Sequence, residues 1–323
     1  MAKTQMRYRM NYYIGIDLGG TFIKGGIADE TGKVIVKNSV PTEFEKGWEG
    51  VVNNMITLSK SLAEEGGIDF SDIRALGAAI PGMIDDDNGH VIYSNNLRWK
   101  DVPVAKVISS ALNLPVHISN DANVAALGEA EYGAAKGVKD SVTVTLGTGV
   151  GSGIIINGKI FGGAGAEIGH TVIHQGGEDC TCGRKGCFEA YASATALLRF
   201  ARRAMEQDKT SMLWQLAGSM ENVNGKHVFD AYFAGDAAAT KVVETYFDDL
   251  ATGLTNIANV FRPQVILLGG GVSAQRENLT KPVQERVNKL IYGGDLGPKV
   301  EIRTATLGND AGFLGAVALA KQH

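Results

Sequence analysis

Cysteine is scarce in this sequence, with three in 323 residues. An odd number cannot all be consumed by disulfides within one chain, which argues against a secreted disulfide framework. Cys180 and Cys182 are one residue apart, too close for a relaxed bridge. Long apolar runs are missing as well: none reaches the roughly eighteen residues that suggest a membrane span. The opening stretch, "MAKTQMRYRM", is basic but leads into no apolar segment, so no secretory signal is expected, and Met10 is an alternative start. Positive charge is not in excess, since 31 Lys and Arg face 35 Asp and Glu for a net charge of −4. With an isoelectric point near 5.9, the chain lacks the basic footprint of a nucleic-acid binder. Reduced thiols without an export signal lead us to expect a cytoplasmic protein with neither a membrane nor a nucleic-acid partner.

Two nucleotide-binding fingerprints are also lacking. No G-x-x-x-x-G-K-[ST] occurs. The run "GTGVGSG" from Gly147 is not G-x-G-x-x-G, and it leads into a strand pattern where a dinucleotide-binding fold requires a helix.

What is present is clustered. All the cysteines fall within "CTCGRKGCFE", Cys180–Glu189. C-x-C-x4-C offers three soft thiolates on a glycine-bearing turn, and zinc wants a tetrahedron of four ligands. His170 and His174 stand just upstream, and spacing alone does not choose between them.

The 42 glycines cluster too. Tyr12–Val36 reads as a strand ending at Asp17, a glycine turn, a second strand, a Thr31-Gly32 turn and a third strand. Ser141–Phe161 repeats that plan, with an Asn157-Gly158 hairpin turn. Asp17-Leu18-Gly19-Gly20 aligns with Thr145-Leu146-Gly147-Thr148, 128 positions later. Two similar domains explain this echo better than chance. A glycine hairpin can bring backbone N–H groups close to a phosphate, although tight hairpins alone would look the same. In "VILLGGGVS" a strand ends in Gly269-Gly270-Gly271 and a helix follows toward Leu290, a favoured junction for the adenosine of a nucleotide.

Elsewhere the patterns predict helices at Trp48–Glu64, Val104–Leu112, Asn123–Tyr132, Ala194–Glu206, Ala237–Val260 and Ala311–Lys321. Strands are predicted at Ala75–Ile80, Val116–Ile118 and Val300–Arg303. Alternating strands and helices mean an α/β protein, and the length suits about two domains.

These residues resemble the ROK family of sugar kinases and repressors, above all its bacterial glucokinases. The motifs are "DLGGTFIKGG", "AIPGMID", "SNNLRWKDVP", "SNDANVAALGE", "GTGVGSG", "GAGAEIGH", "CTCGRKGCFE" and "ILLGGGVS". The resemblance implies a two-domain actin-like, hexokinase-type fold, a duplicated ribonuclease-H-like α/β unit with a zinc knuckle. We expect residues 1–119 to form a small domain, 120–307 a large domain with the zinc site, and 308–323 a helix returning to the first.

The resemblance also assigns roles. His170 joins Cys180, Cys182 and Cys187 on a structural zinc. Asp121 is the catalytic base; by position alone, Asn120 and Asp121 read as a helix cap. The sugar is held by Pro81, Gly82, Asn96, Asn120, Asp121, Glu167, His170 and Glu189. The family usually has proline before that asparagine, and here Asn95 stands there. Asp17 orients Mg²⁺, while Gly19, Gly20, Thr21, Gly147, Thr148 and Gly149 take the phosphates of ATP. Lys24 adds a positive charge, or is simply a solvated strand lysine. Closure on the sugar would keep water from the γ-phosphate.

The implied activity is ATP-dependent phosphorylation of glucose by a homodimer or homotetramer. The alternatives are a kinase for N-acetylmannosamine, mannose or allose, and a non-catalytic sugar-binding protein. A repressor of this family carries a DNA-binding domain ahead of "DLGGT", and sixteen residues before Asp17 are too few for one.

Overall fold

The computed structural model describes residues 10–162 and 166–323. The start of the chain and the first three residues of "GAGAEIGH" lie outside the described residues. Two compact units emerge. The first takes Met1–Gly137, Gly153–Gly165 and Thr306–His323, and the second takes Val138–Ser152 and Ala166–Ala305.

The first unit opens with β1 (Tyr12–Leu18), β2 (Phe22–Asp29) and β3 (Val34–Pro41), an antiparallel run. Helix α1 (Gly47–Gly66) buries one stripe, including Val51, Val52, Met55, Leu58 and Leu62, at the spacing of a core-facing helix. It stops at Gly67, whose φ of 61° suits a left-handed cap. Then follow β4 (Ile73–Ile80), the short strands β5 (Met83–Asp85), β6 (His90–Ser94) and β7 (Trp99–Val102), α2 (Val104–Leu112), β8 (Val116–Asn120) and α3 (Asp121–Glu131). The main sheet runs β3-β2-β1-β4-β8, with β4 parallel to β1 and β8, and β5-β6-β7 form a small separate sheet.

The second half supplies β9 (Ser141–Leu146), β10 (Val150–Ile156) and β11 (Lys159–Ile160). Helices α4 (Glu189–Ala192), α5 (Ala194–Gln207), α6 (Met212–Ala217), α7 (Gly225–Phe233) and α8 (Ala237–Phe261) follow. The chain ends with β12 (Val265–Gly269), α9 (Glu277–Leu290), β13 (Glu301–Thr304) and α10 (Ala311–Gln322). Its sheet runs β11-β10-β9-β12-β13. That is the order of the first sheet, strand for strand, so the echo read from the glycine turns extends to topology. Asn157 and Gly158 both have positive φ, 53° and 74°, as the tight hairpin between β10 and β11 requires.

Helix α10 belongs to the first compact unit. Helix α10 is buried on nearly all sides from Phe313 to Ala320. A Cβ on Gly77 of β4 would lie 1.9 Å from the Ala316 carbonyl oxygen, and one on Gly315 would lie 1.8 Å from that of Val124. Glycine therefore lets α10 press between the sheet and α3. This close packing puts α3 in the first unit, whereas the sequence-based boundary at 119/120 put it in the second. The compact unit runs on to Gly137. A second tie is the buried Glu129 carboxylate, which accepts hydrogen bonds from the backbone of Thr306 (2.8 Å) and Leu307 (2.7 Å).

Candidate functional site

In the first unit, the β1–β2 turn is closed by backbone. Gly19 N–H donates to the Phe22 carbonyl at 3.0 Å. The fully buried Thr42, at the end of β3, holds the turn from beneath. Its hydroxyl donates to the Gly19 carbonyl at 2.6 Å and its N–H to the Thr21 carbonyl at 2.9 Å. Gly20 and Thr21 are left exposed at the tip.

Asp17, next to last in β1, sets its carboxylate against Gly312, where a Cβ would sit 2.5 Å away, at the first turn of α10. Burial pushes the Asp17 carboxyl up; Lys24, its register partner on β2, opposes this and the Asp121 charge adds to it. The sequence thus brings two carboxylates and one lysine into electrostatic reach of one another. Lys24 also lines a cleft of about 400 Å³ with Lys37 and Asp310, which are paired at 3.0 Å.

Asn120 caps α3, accepting from the N–H groups of Ala122 (3.0 Å) and Asn123 (3.3 Å). Asp121 is the first helical residue, and its carboxylate accepts from Ala122 N–H at 2.9 Å. Asn120 also donates to the Gly82 carbonyl at 3.0 Å, joining the Pro81-Gly82 loop to the helix start. Gly82 has φ 130°, and a Cβ there would meet the Tyr93 carbonyl oxygen at 2.4 Å. Asn96 sits exposed in the turn between β6 and β7, where Tyr93 donates to Asn95 at 3.2 Å.

In the second unit, the β9–β10 turn closes with Gly147 N–H donating to the Gly149 carbonyl at 3.0 Å. Gly270, at φ 80°, presses on the end of β9, where a Cβ would lie 2.5 Å from the Leu146 carbonyl oxygen. So the third glycine cluster lies beside the second glycine turn. A 3₁₀ turn at Gly271–Gln275 precedes the expected helix.

His170, Cys180, Cys182 and Cys187 bring their ligand atoms within 4.8 Å of one another. His170 Nδ1 is 3.5 Å from Cys180 Sγ, and Cys182 Sγ is 3.6 Å from Cys187 Sγ. Ligands at about 2.3 Å from a tetrahedral centre stand about 3.8 Å apart, so these side chains fit zinc. The backbone N–H of Arg184 pulls Cys182 down to about 6, while burial pushes Cys187 up. His170 turns Nε2 toward the exposed Glu167, at 3.9 Å.

His174, the other histidine left open by spacing, turns elsewhere. Its Nε2 meets Asp249 on α8 at 2.6 Å, and its ring lies 4.5 Å from that of Tyr191. Burial pushes Asp249 up, and the His174 contact opposes it. Sequence reasoning missed Thr42 and Asp249 because their partners are distant in sequence, and Thr181 because the cysteines and glutamate of its own motif drew the reading.

Glu189 follows the last cysteine after one residue and starts α4. Its carboxylate accepts from Val150 N–H at 3.0 Å and from the Thr181 hydroxyl at 2.9 Å. It therefore lies between the zinc loop and the second glycine turn.

The chain is similar to known proteins over nearly its whole length. The chain is 38% identical over 320 residues to a glucokinase of Halalkalibacterium halodurans, covering 96% of this chain and 95% of that one. It is 36% identical to a glucokinase of Thermotoga maritima, covering 96% and 97%. The crystal structure of a ROK family glucokinase from Streptomyces griseus in complex with glucose and AMPPNP matches with a TM-score of 0.76 at 34% identity, covering 97% of this chain and 100% of that one. The duplicated sheet order and the zinc-fitting cluster accompany a hexokinase-like α/β fold. The ROK family model matches residues 13–323, and the chain belongs to that family.

Proposed function

We propose that this protein is an ATP-dependent glucokinase, converting D-glucose to glucose 6-phosphate. The observation that carries the reading is the β8–α3 junction: Asn120 caps the helix and holds Gly82, while Asp121 starts it within reach of the Asp17 charge. A helix N-terminus favours an ionised carboxylate, so Asp121 is ready to accept a proton. The sugar 6-hydroxyl gives its proton to Asp121 as its oxygen attacks the γ-phosphorus in line. The bond to the bridging oxygen breaks and ADP leaves. The glucose- and AMPPNP-bound relative supports both substrates.

Asn120, Glu167, His170 and Glu189, with Pro81, Gly82 and Asn96, take the remaining sugar groups. A site that pairs each hydroxyl rejects analogues lacking one. The turns at Gly19–Thr21 and Gly147–Gly149 offer backbone N–H groups to phosphate, and Gly269–Gly271 receives the adenosine. Asp17 is the residue to hold Mg²⁺, through water, because a buried carboxylate gains most from a nearby cation. When bound, the ion neutralises charge on the phosphates. Zinc on His170, Cys180, Cys182 and Cys187 is structural, since four protein ligands leave no open position. We place the enzyme in the cytoplasm as a homodimer or homotetramer. Among the described residues no helix is long and apolar enough to cross a membrane.

The test is ADP release with Mg-ATP against glucose, mannose, fructose, allose and N-acetylmannosamine. Glucose should dominate kcat/KM, and ADP release without sugar should be far slower. A different dominant sugar would replace glucose in the reading. Activity on none of them, in zinc-loaded folded protein, would remove the kinase assignment for these substrates.

A further inference from the structure

We propose that Glu189 is a positioning residue that couples the sugar side of the site to the phosphate-binding turn at Gly147–Gly149. The inference rests on the kinase reading above and deepens it. One carboxylate oxygen accepts the Val150 N–H at 3.0 Å, immediately after the turn. The other accepts the hydroxyl of Thr181, which stands between two zinc ligands, at 2.9 Å. Cys180 Sγ lies 3.8 Å from that same oxygen. The zinc loop and the glycine turn therefore share one side chain.

The fit at Gly149 is tight. A Cβ there would lie 2.3 Å from one Glu189 oxygen and 3.2 Å from its carboxyl carbon. Gly149 does not need its freedom of φ, since it is absent from the positive-φ glycines. Its lack of a side chain instead leaves room for the carboxylate. The backbone on the far side of Glu189 is fixed too. Ala194 N–H donates to the Gly147 carbonyl at 2.8 Å, and the buried Phe188 ring fills the space left by Gly253 on α8.

A carboxylate has about four lone-pair directions, and turn and zinc loop occupy two of them. A sugar hydroxyl on a third orders the carboxylate, and through Val150 N–H orders the turn that meets the phosphates. Phosphate binding that orders the turn holds the carboxylate for the sugar in return. Such coupling is reciprocal in free energy.

The test is a double-mutant cycle read by calorimetry with glucose and AMPPNP, with zinc content measured for each variant. Gly149→Ala, on the nucleotide turn, should weaken glucose binding by about tenfold, the scale of a lost hydrogen bond to a charged group. In an Glu189→Ala background the same change should alter glucose binding by less than about twofold, because the added methyl then has space. Glu189→Gln keeps both bonds, with its carbonyl toward Val150 N–H and its amide toward Thr181, and should restore AMPPNP binding lost in Glu189→Ala. Thr181→Val, which leaves the turn untouched, should weaken AMPPNP binding severalfold with zinc retained.

Independent effects of Gly149→Ala and Glu189→Ala, multiplying in the double variant, would overturn the proposal. So would unchanged AMPPNP binding in Thr181→Val. The glucokinase reading fails separately, in the sugar assay, and the cycle is then run with whichever sugar the wild-type protein binds.

Discussion

The two glycine turns occupy equivalent places in sheets of the same strand order, yet they are held by different means. The β1–β2 turn is fastened by Thr42, a neighbour at the end of β3 in its own sheet. The β9–β10 turn is fastened by Glu189, which arrives from the zinc loop. The first turn is thus held from within its own sheet region. The second depends on a segment that is shaped by four metal-fitting side chains. Both halves carry the same hairpin in the same strand order, and only the second is tied to the loop whose side chains fit a metal.

The largest break in that symmetry comes from the zinc loop. Cys182→Ala should lose zinc and lower turnover by more than about 100-fold, since even outer partners of a metal site cost 10- to 100-fold in affinity or activity. Metal analysis alongside the ADP assay checks this; full activity in zinc-free protein would show that the second turn stands unaided. Asp121→Asn comes next, and it separates chemistry from support. Turnover should fall by about 10²-fold or more while most of the sugar affinity survives. Near-normal kcat would remove Asp121 as the base. Thr42→Val is smaller. It leaves the Gly19 carbonyl without its hydroxyl partner, at a cost of about 1 kcal/mol. KM for ATP should rise while zinc content stays constant. A change in zinc content would mean that the first turn is not independent of the second.

Much of this comparison was legible in the sequence. Helix α2 was bounded correctly from its pattern, and the strand–glycine–strand echo pointed to two similar halves, whose sheets have matching strand orders. Three cysteines in eight residues announced the metal cluster. The rest depended on contacts that sequence spacing does not carry. Spacing left His170 and His174 open and the resemblance chose His170; the structure engages His174 with Asp249, 75 residues further on. The membership of α3 was set by α10, almost two hundred residues later, through a close approach at Gly315. Strands β5 to β7, three to five residues each, were too short to show a period. Helix α7 was missed because it starts at Gly225, which reads as a turn after its Asn224 cap.

The smallest expected effect concerns a carboxylate of the first unit. Asp86 follows β5 in the first unit, half-buried, accepting from the Ser119 hydroxyl at 2.9 Å, while its other oxygen is buried without a partner. Burial pushes its carboxyl up to about 6. An acid with a folded pKa above its unfolded value binds more protons when folded, so stability falls as pH rises between the two values. The penalty is fully present above about 6 and fades as pH drops toward the ordinary carboxylate value. Asp86→Asn removes the charge and should raise the melting temperature at pH 7.5 but change it little at pH 4. Solvent reaches part of the side chain, so the gain should be modest. Asp86 bonds Ser119, so zinc content and both KM values should stay at wild-type levels. An equal shift at both pH values would instead point to packing, and a changed KM would extend the support of the first turn beyond Thr42.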